Sequence, residues 1–145
     1  MEVTSTAFGN EEEIPDKYTC GGENINPPLK ITDIPGEAVS LALICDDPDA
    51  PGGTFVHWLL WDFKPVQELM EDSVPENAVQ GATSYRVNHY KGPCPPSGVH
   101  RYYFKIYALD TTLGLQESAG KQDLLEAMDG HILDSAVLMG TYTRD

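Results

Sequence analysis

Thirteen glycines and eleven prolines interrupt this 145-residue chain at short intervals, and no amphipathic pattern survives past about three helical turns. Punctuation that dense leaves room for short strands joined by turns and little room for long helices. Residues 39–46 (VSLALICD) form an almost continuous apolar run with β-branched Val39 and Ile44, the pattern of a central strand covered on both faces. Residues 54–63 (TFVHWLLWDF) are rich in aromatic side chains, and a period of two puts Phe55, His57, Leu59, Trp61 and Phe63 on one face. Residues 99–109 (VHRYYFKIYAL) alternate, with His100, Tyr102, Phe104, Ile106 and Ala108 facing one way and Arg101, Tyr103, Lys105 and Tyr107 the other. Leu124, Leu125 and Met128 predict one short helix over 121–128, ended by Gly130. Further strands are expected at 135–142, with Ala136, Leu138 and Tyr142 on one face, and at 29–34. Residues 65–81 carry Pro65, Pro75 and several acids without a period and read as a surface connection. The length fits a single domain over residues 1–145, with a core large enough to need no dense disulfide scaffold.

The 23 acidic residues against 9 basic ones give a formal charge of −14, and the basic residues are scattered singly. Such a surface repels phosphate backbones and anionic headgroups, so nucleic acid and bilayer surfaces are poor partners for the whole molecule and no nucleic-acid partner is expected. A small electropositive pocket for one phosphate is compatible with it. The first residues, MEVTSTAFGNEEEIP, have neither a basic nor an apolar leader region, and no apolar run approaches the ~20 residues of a spanning helix. The expectation is a soluble, cytoplasmic protein without a transmembrane segment. Cys20, Cys45 and Cys94 leave one cysteine unpaired under any pairing and form no zinc-ligand spacing, which favours a reducing compartment; no metal site and no cofactor is expected.

Two stiff loops adjoin strands that carry a histidine. In Asp46-Asp47-Pro48-Asp49-Ala50-Pro51-Gly52-Gly53, three carboxylates lie within four residues. Such a cluster raises proton affinity unless cations or N–H groups face it, and alone it reads as a solvated Asp-Pro turn. The loop Tyr90-Lys91-Gly92-Pro93-Cys94-Pro95-Pro96-Ser97-Gly98 leads into Val99-His100-Arg101-Tyr102, where three prolines stiffen the backbone and two glycines permit close approach. A lone strand histidine is usually a core residue. Here His57 and His100 each follow a stiffened loop, and His100 and Tyr102, two residues apart, point the same way. Arg101, on the opposite face, is expected to pair with an acid.

The runs DDPDAPGGTFVHW and YKGPCPPSGVHRYYFKIYALD, with IPDKYTCGGENINPPL before them and GHILDSAVLMGTYTR after, closely resemble the phosphatidylethanolamine-binding (Raf kinase inhibitor-like) protein family in its short bacterial and archaeal form. The resemblance implies a mostly β fold: a two-sheet antiparallel sandwich with few short helices, here without the C-terminal helix of eukaryotic members. It also implies a small pocket for phosphate or a phosphoethanolamine-type headgroup, built from Asp47, Asp49, Pro51, His57, Gly92, Pro96, His100 and Tyr102. Histidines that charge near neutral pH, the Tyr102 hydroxyl and loop N–H groups suit an oxyanion, and Asp47 would orient a histidine. The expected function is therefore non-enzymatic binding of a small anion or of an anionic side chain on a protein partner. Kinase or protease modulation, known for some relatives, would use surface loops and does not follow from the motif. The alternative is a hydrolase with Cys94 as nucleophile, His100 or His57 as base and Asp47 as orienter. A C2 homodimer and a cis Ala50–Pro51 peptide complete the expectations.

Overall fold

The computed structural model describes residues 1–144. In chain order these form β1 (Glu2–Thr4), a 3-10 turn (Asp16–Tyr18), β2 (Leu29–Thr32), β3 (Ser40–Asp47), β4 (Phe55–Phe63), β5 (Glu68–Leu69), β6 (Val79–Gln80), β7 (Gly98–Leu109), α1 (Lys121–Met128) and β8 (Ile132–Arg144). All strand pairs are antiparallel: one sheet has the order β1-β2-β5, the other β6-β4-β3-β7-β8. The apolar run at 39–46 becomes the middle strand, and every residue of β3 is buried. Its alternate side chains serve two cores. Leu41, Leu43 and Cys45 point between the sheets, against Ile31 and Leu69 of the small sheet; Ala42 and Ile44 point outward, under Leu124 and Met128 of α1. Burying a Leu or Ile side chain is worth about 1.5–3 kcal/mol, so covering both faces makes β3 the strongest organiser of the sandwich.

The expected strands at 39–46 and 99–109 and the helix at 121–128 are present with bounds shifted by at most one residue. Gly130 sits just beyond the helix at φ 81°, the left-handed conformation that ends a helix without a Cβ penalty. The face assignment of β7 holds: Tyr102, Phe104, Ile106 and Ala108 are fully buried between the sheets. The face assignment of β4 does not. Leu59 and Trp61 pack beneath the helix, whereas Phe63 packs between the sheets with Trp58 and Leu60. Two irregularities break the period. Register runs from Cys45↔Trp58 to Asp46↔Val56, skipping His57, and from Leu43↔Leu60 to Leu41↔Phe63, with an extra residue on β4. The second is a bulge at Asp62, held at φ 60°, whose carboxylate accepts the N–H groups of Leu113 (2.7 Å) and Gly114 (2.8 Å). Bulges displace every later side chain to the other face.

The segment 65–81 is more than a surface connection. It adds β5 to the small sheet, with Leu69 buried, and β6 to the edge of the large one. Two-residue strands carry too little pattern to be read from sequence. The short β1 was likewise not anticipated; it pairs with β2 and is tied down where the terminal ammonium meets Asp134 at 2.9 Å.

Since Asp62 satisfies two backbone donors from a left-handed position, Asp62→Ala loses both acceptors and adds φ strain. Chemical denaturation should show a loss of about 2 kcal/mol; a change below about 0.5 kcal/mol would show that the bulge does not depend on that carboxylate.

Candidate functional site

Where β3 runs out at Asp47 and β4 starts at Phe55, the intervening loop forms one lip of a cavity of about 280 Å³. Asp47, Ala50 and Pro51 line this lip, and Cys94, Pro95 and Pro96 line the facing loop before β7. Phe55 and His57 from β4, His100 and Tyr102 from β7, and Tyr85 complete the walls. His57 reaches the cavity because it is the residue skipped in the β3–β4 register.

Asp47 orients one histidine. Its Oδ2 lies 2.7 Å from His100 Nδ1 and its Oδ1 accepts the Asp49 N–H at 2.7 Å. A carboxylate only accepts, so the proton of this pair sits on Nδ1 and the Nε2 of His100 is left for another partner. His57 is oriented differently. Its Nδ1 is 2.7 Å from the Lys91 carbonyl, which again places the proton on Nδ1. Burial pushes its pKa below the usual histidine value, partly offset by the Lys91 carbonyl and the charge of Asp47. Near neutral pH His57 is therefore uncharged, against the expectation that both histidines supply positive charge.

Tyr102 lies between these groups, its ring centroid 5.3 Å from that of His57 and 6.5 Å from that of His100. Its hydroxyl is fully buried and meets no acceptor at full hydrogen-bond geometry, alone in this among the buried side-chain polar atoms of the described residues, and the Asp47 carboxylate is the acceptor in its neighbourhood. Burial, and then the negative charge of Asp47, hold the phenol well above its usual pKa, so it remains a proton donor. An unpaired buried hydroxyl costs about 1–3 kcal/mol, a cost that a bound acceptor removes.

Of the eight residues expected at the pocket, Asp47, Pro51, His57, Pro96, His100 and Tyr102 line it. Asp49 does not. Its carboxylate turns to Arg101 and accepts from Nη2 (2.8 Å), Nε (2.9 Å) and the backbone N–H (2.9 Å). Arg101 thus has the acidic partner expected of it, and holds Asp49 down to a pKa of about 2. Gly92 does not line the cavity either. It lies behind the wall: its N–H donates to Asn24 Oδ1 at 2.7 Å, and a Cβ there would collide with the Tyr18 carbonyl oxygen. Its lack of a side chain serves packing, not ligand contact. Phe55 and Tyr85 were missed. Phe55 was read only as a strand residue, and Tyr85 lies in an aperiodic loop with no local signal, reaching the site by edge contact with Phe55 and His57.

Ala50–Pro51 is trans, since no cis peptide occurs among the described residues. The chain reverses through the Asp47–Asp49 bond and a turn from the Gly53 N–H to the Ala50 carbonyl (3.1 Å), with Gly53 at φ 109°. Cys20 and Cys94 are joined as a disulfide, and Cys45 is the unpaired, buried cysteine. A somewhat larger hollow, about 330 Å³, lies around Trp58, Gln80 and Tyr90. Its buried polar groups are already paired: Trp58 Nε1 donates to Gln80 and the Tyr90 hydroxyl to the Tyr18 carbonyl. Unmet hydrogen-bonding capacity, rather than size, makes the histidine cavity the candidate site.

Residues 4–143 match the profile of the phosphatidylethanolamine-binding protein family. The chain belongs to this family. It is 50% identical to a UPF0098 protein of Methanothermobacter thermautotrophicus and 47% identical to one of Chlamydia muridarum, with 99% or more of each chain covered. Among solved structures, it resembles a phosphatidylethanolamine-binding protein homologue of Chlamydia trachomatis, with a TM-score of 0.95 at 47% identity, covering 99% of this chain and 97% of the other. It also resembles Escherichia coli YbcL, with a TM-score of 0.92 at 26% identity, covering 99% and 98%. The expected two-sheet fold is thus that of the family.

Two titrations follow from these contacts. Because folded His57 resists protonation, the unfolded chain binds a proton near pH ~6.5 that the folded chain refuses until lower pH. Its contribution to stability is full above ~6.5 and falls as pH drops below it. Urea midpoints should fall on acidification from about pH 7.5 to 5.5, and fall less in His57→Gln; equal falls would contradict the assignment. In Arg101→Ala, the Asp49 carboxylate should titrate higher than in the parent by NMR; an unmoved value would show that Arg101 does not hold it.

Proposed function

We propose that the family member described here is a non-enzymatic binding module whose histidine cavity takes a small oxyanion, phosphate or the phosphate of a phosphorylated headgroup. The observation that carries this reading is the Tyr102 hydroxyl: buried, protonated, unpartnered and set beside two imidazoles whose Nδ1 atoms are already occupied. The cavity volume suits a ligand of a few atoms better than a lipid chain, because sites for drug-sized molecules begin at about 300 Å³. No helix among the described residues is long and apolar enough to cross a membrane, which is compatible with a ligand met in solution or as an exposed headgroup. An anionic side chain of a protein partner would use the same donors. Cys94 bonded to Cys20 offers no thiolate, which favours binding over the cysteine-hydrolase reading. Assembly as a C2 dimer belongs to the same proposal; light scattering that gives the monomer mass at tens of micromolar removes it.

Calorimetric titration with inorganic phosphate tests the reading. The parent should bind; His100→Ala should bind more than tenfold more weakly, as expected for loss of a charge-assisted hydrogen bond worth ~1.5–3 kcal/mol. Tyr102→Phe should also weaken binding while unfolding at the same or a higher denaturant concentration, since it deletes an unpaired buried hydroxyl. A parent that takes up no phosphate, or variants that bind like it, would sink the proposal.

A further inference from the structure

The hydrogen-bonding pattern of the cavity says more than that an anion enters; it bears on how many protons that anion carries. Resting on the oxyanion reading above, we propose that the cavity selects oxyacids that retain a proton, phosphate and phosphomonoesters as their hydrogen-bearing monoanions, over acceptor-only anions such as sulfate. Three groups carry the inference. Tyr102 offers a buried O–H that meets no acceptor at full hydrogen-bond geometry, with the Asp47 carboxylate as its neighbour, and an acceptor on the ligand can take it. His57 Nδ1–H donates to the Lys91 carbonyl at 2.7 Å, and the Gly92 backbone also lies within hydrogen-bonding reach of the ring. Its buried ring is uncharged near neutral pH, so Nε2 presents a lone pair, and a lone pair facing a ligand oxygen requires a proton on that oxygen. His100, with Nδ1–H on Asp47, can answer with Nε2 either as donor or as acceptor, so it fixes neither requirement.

Charge points the same way. The groups around His57 are Asp47 from β3, Phe55 from its own strand, Lys91 and Tyr85 from the loops, and Tyr102 from β7, with the charge of Asp46 acting from the other face of the sheet. Lys91, whose ammonium lies 4.7 Å from the Tyr85 ring, is not among the residues that line the cavity. Within the cavity, Asp47 contributes one negative charge, and His100 at most one positive, so the lining sums to zero or minus one. A dianion entering such a site meets no compensating charge. A monoanion with one hydroxyl pairs each group: its oxygen takes the Tyr102 proton and its O–H goes to His57 Nε2.

The probes that separate proton from charge and size are methyl phosphate and methyl sulfate at about pH 6, where phosphomonoesters begin to lose their second proton. The monoanion of the first and the second have nearly the same shape and the same charge and differ in the central atom and in the one hydrogen that only the phosphate carries. Methyl phosphate should bind the parent at least tenfold more tightly, since a site built to receive a hydroxyl rejects the analogue without it. In His57→Gln, whose amide can turn its NH2 group inward, the ratio should shrink to about threefold or less, methyl sulfate gaining what methyl phosphate loses. Equal binding of the two esters by the parent overturns this inference and leaves the oxyanion reading intact, whereas binding of neither ester nor of inorganic phosphate overturns both. The parent comparison decides by itself should the variant fail to fold.

Discussion

Two adjacent carboxylates at the end of β3 govern the arrangement of the rest. Because neighbouring strand residues face opposite ways, Asp47 enters the cavity and Asp46 enters the helix side of the same sheet. Both are almost completely buried, and a buried carboxylate is tolerated only when paired and hydrogen-bonded. Asp46 takes two cations, with Lys121 of α1 at 2.8 Å and Lys105 of β7 at 3.1 Å. Asp47 takes the His100 imidazole and a backbone N–H. Removing one partner of such a buried group costs about 3–5 kcal/mol. The first set therefore pins the helix to the sheet, and the second pins β7 to β3 at the height where the cavity opens. One dipeptide couples the covering of the outer core to the aim of the binding histidine.

The loop after this dipeptide extends the same logic outward. Asp49 clamps Arg101 on the outer face of β7, while two residues further on Pro51 forms the cavity lip. The lip is held from both sides of the β7 strand, by His100 through Asp47 and by Arg101 through Asp49. The opposite lip has a different anchor: the Cys20–Cys94 bond and the Tyr90 hydroxyl both tie the proline-rich loop to the turn near Tyr18. A site placed between two loops would ordinarily be loose, and these ties hold both loops to neighbouring elements.

How much of this was legible in the sequence depends on how much context each residue needed. The middle strand, β7 and the helix follow from local pattern, because their side-chain periods are unbroken over eight to twelve residues. The family motifs pointed to six of the residues that line the cavity, and the alternation of His100 with Tyr102 and away from Arg101 is readable from spacing alone. What failed needed information from elsewhere in the fold. The faces of β4 invert at Asp62, and the cause is a pair of N–H groups at Leu113 and Gly114, about fifty residues away by sequence. Asp49 belongs to the same motif as Asp47 and faces a different partner, since only the three-dimensional turn separates them. Tyr85 has no sequence signal at all; its place is set by the rings of Phe55 and His57.

The cavity also departs from the consistency found in the rest of the molecule. In the two cores, burial and hydrogen bonding agree: Trp58, Trp61 and Tyr90 are buried and each polar tip has a partner. At Tyr102 they disagree, because the ring is held at zero exposure by its place in β7 while its hydroxyl finds nothing to bond. Phenylalanine would fill the same space without the unpaired group. The hydroxyl thus lowers stability where the folded chain alone derives no benefit from it, which is what the proposed ligand would account for. The neutral His57 is a parallel case, since its Nδ1 is satisfied within the protein and its Nε2 is not. Two incomplete hydrogen-bonding groups of opposite character, one donor and one acceptor, line the same cavity of about 280 Å³.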